Sequence, residues 1–420
     1  MTNLRTLPSL AFPAVILGSF LAACASTDEP EAEPGTGGDD PGPISAPELV
    51  DEDWSLMVAY QGDVRINGVA TGELDPETPG DEIVTVDQRG RLRILRRAGD
   101  GFEEMELGDI IATGDGLEVQ GAADAPTGEL VQVICTDLVP RIPGDEIIAV
   151  GVLAGGEDDG GSGLVRVFAR AGVDRAWVEY RYVTPALVHA VTAGDILPNR
   201  PGTEFVIAGF FGDARVGRLD TLRGQPSLVV EEAPGLTHQG NAKGACLTRS
   251  GLVLACDNGF LYTYTRADDG AWFGHDGIDV GGGLARVTAY PGGGVAVCGN
   301  DGAFRVVRRD RAAGTTSTWF LVRAENRLRG AVIADLDPEH PGDEAATAGY
   351  DGIIRLVRFF PFEDQGPGTS EMATSDVILA RDTAKIHHLT TGTFEGLGLS
   401  LVSCGYSGDV LVVSRAASDG

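Results

Sequence analysis

The sequence predicts an all-β fold, a seven-bladed β-propeller of four-stranded antiparallel blades, on three observations. Seven segments share an apolar strand, a tight glycine turn and a second alternating strand, with turn glycines at Gly90, Gly163, Gly212, Gly259, Gly302, Gly352 and Gly408. The six intervals between those glycines span 318 residues, 53 each on average, which suits one four-stranded blade per repeat. All four tryptophans (Trp54, Trp177, Trp272 and Trp319) fall in segments of the outermost-strand type, and Trp54 precedes the first repeat.

Each blade reads as four strands. An inner strand (VHAVTAG, KIHHLTTG) leads into a loop, and a second strand follows it. DG, NG or SG then turns the chain into a third, alternating strand, because glycine tolerates the positive φ of a tight hairpin. The outer strand comes last (RAWVEYRYV, TSTWFLVR, SDVILAR). The last repeat stops after its third strand, whereas DEDWSLMVAY, residues 51–60, has no blade of its own. The N-terminal strand is therefore expected to complete the last blade and seal the ring, which removes an open sheet edge.

The regions ahead of the propeller differ in kind. Residues 1–23 combine Arg5, an apolar stretch and small residues before Cys24, the architecture of a secretory signal peptide. Residues 24–50 are Pro, Gly and acid with almost no apolar content, a disordered tether on composition. Residues 51–420 form the propeller. Net charge is −30, with 62 Asp and Glu against 32 Lys and Arg. That balance argues against nucleic acid as a partner. Five cysteines follow Cys24 without a CxxC spacing, and they read as buried strand thiols.

Leu21-Ala22-Ala23-Cys24 resembles the lipobox of bacterial lipoproteins. The resemblance implies cleavage before Cys24, a lipid on its thiol, and a cell-envelope protein held to the outer membrane or cell surface. DLDPEHPGDE, from Asp335, followed by an apolar strand and YDG resembles the FG-GAP/VCBS repeat, in which such loops often hold calcium. By that resemblance Asp335, Asp337, Glu339 and Asp343 fall on the acidic positions, as do Glu73, Asp75, Glu77 and Asp81 in repeat one. Oxygen ligands at alternating spacing suit a hard cation. Against this, His340 and Thr78 replace the family's central glycine, and Pro338 and Pro76 stiffen the loop. Four copies around the ring favour a turn over a calcium site.

A second pattern lies five residues before the Gly or Ala closing each inner strand. His189, His238, His387, Arg329 and Asn67 take this position, with Val131 and Ala285 in repeats two and five. Equivalent inner-strand positions form a ring around the central channel. Histidines there could ligate zinc or manganese, or act as a base beside Arg329. Hydrogen-bonded polar residues at a wet channel are the simpler expectation.

No HExxH, Walker, GxSxG or dinucleotide motif is present. Two functional readings follow. The first is a lipid-anchored, monomeric binding or scaffold propeller for a protein or glycan. The second is an envelope enzyme acting on polysaccharide or a sugar acid, with His189, His238, His387 and Arg329 at the channel.

Overall fold

The computed structural model describes residues 45–105, 111–112, 128–153, 161–171, 176–197, 202–222, 225–267, 271–310, 315–359 and 374–416. Residues 1–44, which hold the expected signal peptide, Cys24 and most of the expected tether, lie outside the described residues. The rest forms seven antiparallel sheets of four principal strands each. The inner strands are Ile66–Gly72, Leu130–Thr136, Val188–Gly194, Ala242–Thr248, Leu284–Ala289, Leu328–Ala334 and Ile386–Phe394. Each touches the next in chain order, and the seventh returns to the first, so the sheets close into a ring.

Second strands such as Glu82–Asp87, Glu204–Gly209 and Glu344–Gly349 are buried along their whole length. Both faces of these strands pack on neighbouring sheets, which explains continuous runs such as FVIA and AATA rather than strict alternation. The apolar clusters straddle the seams. One joins Val150 and Val165 of blade two to Val188 and Phe205 of blade three. Another joins Val69 and Ile83 of blade one to Val402 and Val412 of blade seven.

The expected closure is present. Trp54–Tyr60 pairs antiparallel with Val410–Arg415 as the outer strand of blade seven, with Trp54 opposite Arg415. Trp54 is almost wholly buried, and the Arg415 guanidinium lies 5.7 Å from its ring centroid. The same pair recurs as Arg170 over Trp177 at 5.2 Å and Arg266 over Trp272 at 5.5 Å. Each of these arginines reaches the loop of the preceding blade. Arg415 approaches Asp337 and Glu339, Arg170 approaches Asp75, and Arg266 donates to the Ile196 carbonyl. The tryptophans therefore hold arginines that tie consecutive blades together.

Two details depart from expectation. Glu48–Leu49, read from composition as the end of the tether, pairs with Ala380 and Arg381 as an extra strand on blade six. Its backbone satisfies an otherwise open edge, which composition cannot reveal. Gly163 is not the turn residue of blade two but opens the third strand opposite Val152 and Thr184. A Cβ on Gly163 would lie 2.2 Å from Thr184 Oγ1, so close approach explains this glycine. The other six turn glycines all have positive φ.

Replacing Trp54 with Ala removes a buried indole and the support of Arg415 at the closing strand. Denaturant unfolding of Trp54→Ala should show a loss of about 3–5 kcal/mol; a change below 1 kcal/mol would mean that this strand does not seal the ring.

Candidate functional site

The acidic loops and the histidine ring lie at opposite ends of the inner strands. At the loop end, one residue does the same work four times. Glu82 accepts hydrogen bonds from the Leu74 and Asp75 amides at 2.8 and 3.2 Å. Glu146 does so from Leu138 and Val139, Glu204 from Ile196 and Leu197, and Glu344 from Leu336 and Asp337. This carboxylate, the last residue of PGDE, closes its own loop from the start of the second strand. Burial pushes Glu82 up to about 6 and Glu146 up to about 7, against the opposing pull of those amides.

The preceding aspartate joins neighbouring blades. Asp81 accepts from the Thr393 amide at 2.6 Å, and Asp145 from the Glu73 amide at 3.2 Å. Asp337 is buried and pairs with Arg358 at 2.6 Å, with Arg415 beyond it at 3.8 Å. Asp75 accepts from the Thr78 hydroxyl at 3.1 Å. Glu73, Glu77, Asp335 and Glu339 are exposed, and Asp343 is half-buried. Alternate side chains in these loops thus point into different surroundings. Among the described residues, no three His, Cys, Asp or Glu side chains gather as a metal-ligating group.

At the other end, every inner strand carries a β-bulge at the same place. The bulged residues are Asn67, Val131, His189, Lys243, Ala285, Arg329 and His387. Six of them match the sequence-derived positions. The seventh is a correction. His238 lies four residues before the inner strand of blade four, in a connecting segment, and Lys243 takes the ring position. His238 is buried instead beside Cys256, with Nδ1 3.8 Å from Sγ.

Gly68, Gln132, Gly244, Gly330 and His388, each the residue after a bulge, face the next blade. Added Cβ atoms on Gly68 and Gly244 would meet the neighbouring inner-strand backbone at 3.0–3.1 Å, which favours glycine there. Arg286, like Gln132 and His388, departs from this preference and was missed by sequence reasoning, although an arginine beside Leu284 and Ala285 was the available signal. It donates to the carbonyls of Lys243 at 3.1 Å and Ala285 at 2.9 Å, while its Nε is buried without a partner.

Blades three to seven therefore present an arc of His189, Lys243, Arg286, Arg329 and His387, cationic at Lys243, Arg286 and Arg329. His189 is held well below its ordinary value by burial and then by Lys243, Arg286, His387 and Arg329. His387 is lowered by burial and Arg286, despite its bond to Asn67. Burial and Arg329 bring Arg286 down to about 10. His387 Nδ1 donates to the Asn67 carbonyl at 2.8 Å, which leaves Nε2 as the acceptor nitrogen. Arg329 donates to Asn300 Oδ1 at 2.6 Å and lies 4.9 Å from the Tyr350 ring centroid.

Aromatic residues from the glycine turns surround the arc. Tyr350 and Tyr406 meet edge to face at 5.7 Å. Phe210 stacks on His189 at 5.1 Å, and Lys243 Nζ lies 4.4 Å from its centroid. Next to it, Phe211 adopts φ 59° and ψ 23°, the only positive-φ residue other than glycine among the described residues. The left-handed conformation costs about 1–2 kcal/mol for a residue with a Cβ.

No family model matches the chain, and no curated protein matches it. Among solved structures it is similar to the WD40 β-propeller domain of Doa1, at 13% identity and a TM-score of 0.50. The match covers 86% of this chain and 98% of that one.

Two predictions test this geometry. A carboxyl with a raised folded-state pKa stabilises the fold fully below its unfolded value near 4.5, and the contribution is lost as pH rises through the folded value. For Glu82 and Glu146 that window runs from 4.5 to about 7. Glu146→Gln should flatten the decline in melting temperature between pH 5 and 8; an unchanged profile would contradict the raised value. The imidazole NMR signals of His189 and His387 should stay neutral as pH falls from 8 to 5, whereas titration near 6.5 would place them in solvent.

Proposed function

We propose that this chain is a lipid-anchored ligand-binding propeller of the bacterial cell envelope, with the cationic mouth of its channel as the binding face for a protein or glycan. The observation that carries this reading is the arc from His189 to His387. A chain of net charge −30 concentrates its inner-strand cations at one channel mouth. Burying like charges together is costly unless a ligand or solvent of opposite sign is accommodated there. The anchor is supported by Leu21-Ala22-Ala23-Cys24 and by the acidic Pro- and Gly-rich run after it. The DLDPEHPGDE and PGDE loops before buried second strands support an FG-GAP/VCBS-type repeat.

A second reading, an enzyme of the sugar-acid lyase type, draws on His387. Its Nε2 is the acceptor nitrogen, lowered in basicity by burial and Arg286, while Arg286 and Arg329 stand near to hold a carboxylate.

Detergent phase partitioning tests the anchor. The full chain should enter the detergent phase and Cys24→Ser the aqueous phase; aqueous partitioning of both would remove the anchor from the proposal. The full chain and the double variant Lys243→Gln/Arg329→Gln are then compared for binding to isolated envelope glycans and envelope proteins. Loss of binding in the folded double variant supports the mouth as the binding face, and undiminished binding rules it out. Release of unsaturated uronate from acidic polysaccharide by the full chain, lost in His387→Ala, would favour the enzyme.

A further inference from the structure

We infer that the channel mouth is a seat for an acidic saccharide, with a sugar carboxylate received by Lys243, Arg286 and Arg329 and the sugar ring laid against Phe211. This rests on the mouth being the ligand face, and it adds the chemical class of the ligand.

The carboxylate half follows from the polar bookkeeping of the arc. Arg286 spends one nitrogen on two backbone carbonyls and leaves a buried Nε–H without an acceptor. A buried donor without a protein partner is open to an acceptor from water or a ligand. Carboxylates of three glycine turns are already engaged. Asp87 bonds Arg91 and Arg93, Asp301 pairs with Arg305, and Asp351 pairs with Arg355 at 2.6 Å. Glu129, at the blade one to two seam, accepts from Asn67 and Arg65. Lys243, Arg286 and Arg329 thus stand together while these four carboxylates bond other groups. An oxyanion with two acceptor atoms matches a guanidinium fork beside an ammonium.

The saccharide half follows from Phe211. Its side chain is 68% exposed, the most exposed large apolar side chain among the described residues. Other turns place Arg89, Asn258, Asp301, Asp351 and Ser407 at this position, all polar. Here the backbone takes a conformation that favours glycine, yet the residue is an aromatic facing solvent. Packing does not explain that choice. Phe211 contacts Phe210 edge to face at 6.2 Å, and Phe210 in turn holds His189 and Lys243. An open aromatic face one ring away from the cations suits a ligand with a charged group and a flat, weakly polar face. The Tyr350 ring is already approached by Arg329 and Lys385, and the Tyr406 ring by Arg65 and Lys385. Phe211 is therefore the stacking surface left open.

Isothermal titration calorimetry on the full chain in detergent, with trigalacturonate, maltotriose, triglutamate and inorganic phosphate as probes, tests the assignment. Trigalacturonate should bind, and the other three should bind about tenfold more weakly or not at all. Lys243→Gln and Arg329→Gln should each weaken trigalacturonate about tenfold. Phe211→Gly should weaken it several-fold while the melting temperature stays level or rises, because glycine accepts the left-handed backbone. A purely structural Phe211 would give the reverse, lower stability with unchanged affinity. Equal binding of maltotriose overturns the carboxylate, and equal binding of triglutamate or phosphate overturns the saccharide. If trigalacturonate does not bind while Lys243→Gln/Arg329→Gln still abolishes envelope binding, this inference falls and the binding propeller stands.

Discussion

Ring closure rests on the pairing of Trp54–Tyr60 with Val410–Arg415, segments more than 350 residues apart in the chain. Loop-closure entropy grows slowly, by about 0.6 kcal/mol per doubling of length, so the separation itself is affordable. What the junction must supply is one complete blade interface with no unpaired edge. It does so with a buried indole, a full antiparallel register and an arginine that also reaches blade six. Without it, blades one and seven would lose the apolar cluster joining Val69 and Ile83 to Val402 and Val412. Every other blade then depends on a neighbour that is no longer fixed.

The two ends of the ring solve different problems with the same economy. At the loop end, PGDE divides its labour: glycine turns, aspartate binds the previous blade, and glutamate closes its own loop. Asp81 and Asp337 thereby bond an amide and an arginine, while Glu73 and Asp335 face outward. At the mouth, the bulges release one residue per blade from strict alternation and turn it towards the channel. Cations crowd there, with His189 and His387 kept neutral by burial and by the charges around them.

The fold was legible because its signal repeats. Six turn glycines have the positive φ that the hairpin pattern demands, and Trp54, Trp177 and Trp272 mark outer strands where each supports an arginine. The site was legible where the inner strand follows directly on its predecessor, as at His189, Arg329 and His387. It failed in blade four because THQGNAK resembles an inner strand while residues 238–241 still belong to the connection, and only pairing with Gly251–Cys256 fixes the start at Ala242. Arg286 escaped because the count stopped at the bulge, and the residue beyond it is usually small for reasons of seam packing. The carboxylate of PGDE escaped because acidity in a loop suggests a ligand, whereas its task depends on amides that only the folded loop brings within 3 Å.

The common bulge has a consequence for how such a molecule changes over time. Seven backbone sites at one level offer seven addresses, which hold different side chains on strands of the same pairing. Val131 and Ala285 leave two addresses blank, while Asn67 uses its own to hold blade two through the Leu130 carbonyl. Rewriting one address alters the chemistry of the mouth by a single group and, at Asn67, Arg329 or His387, also removes one bond to a neighbouring blade. Specificity can therefore drift blade by blade, in small steps.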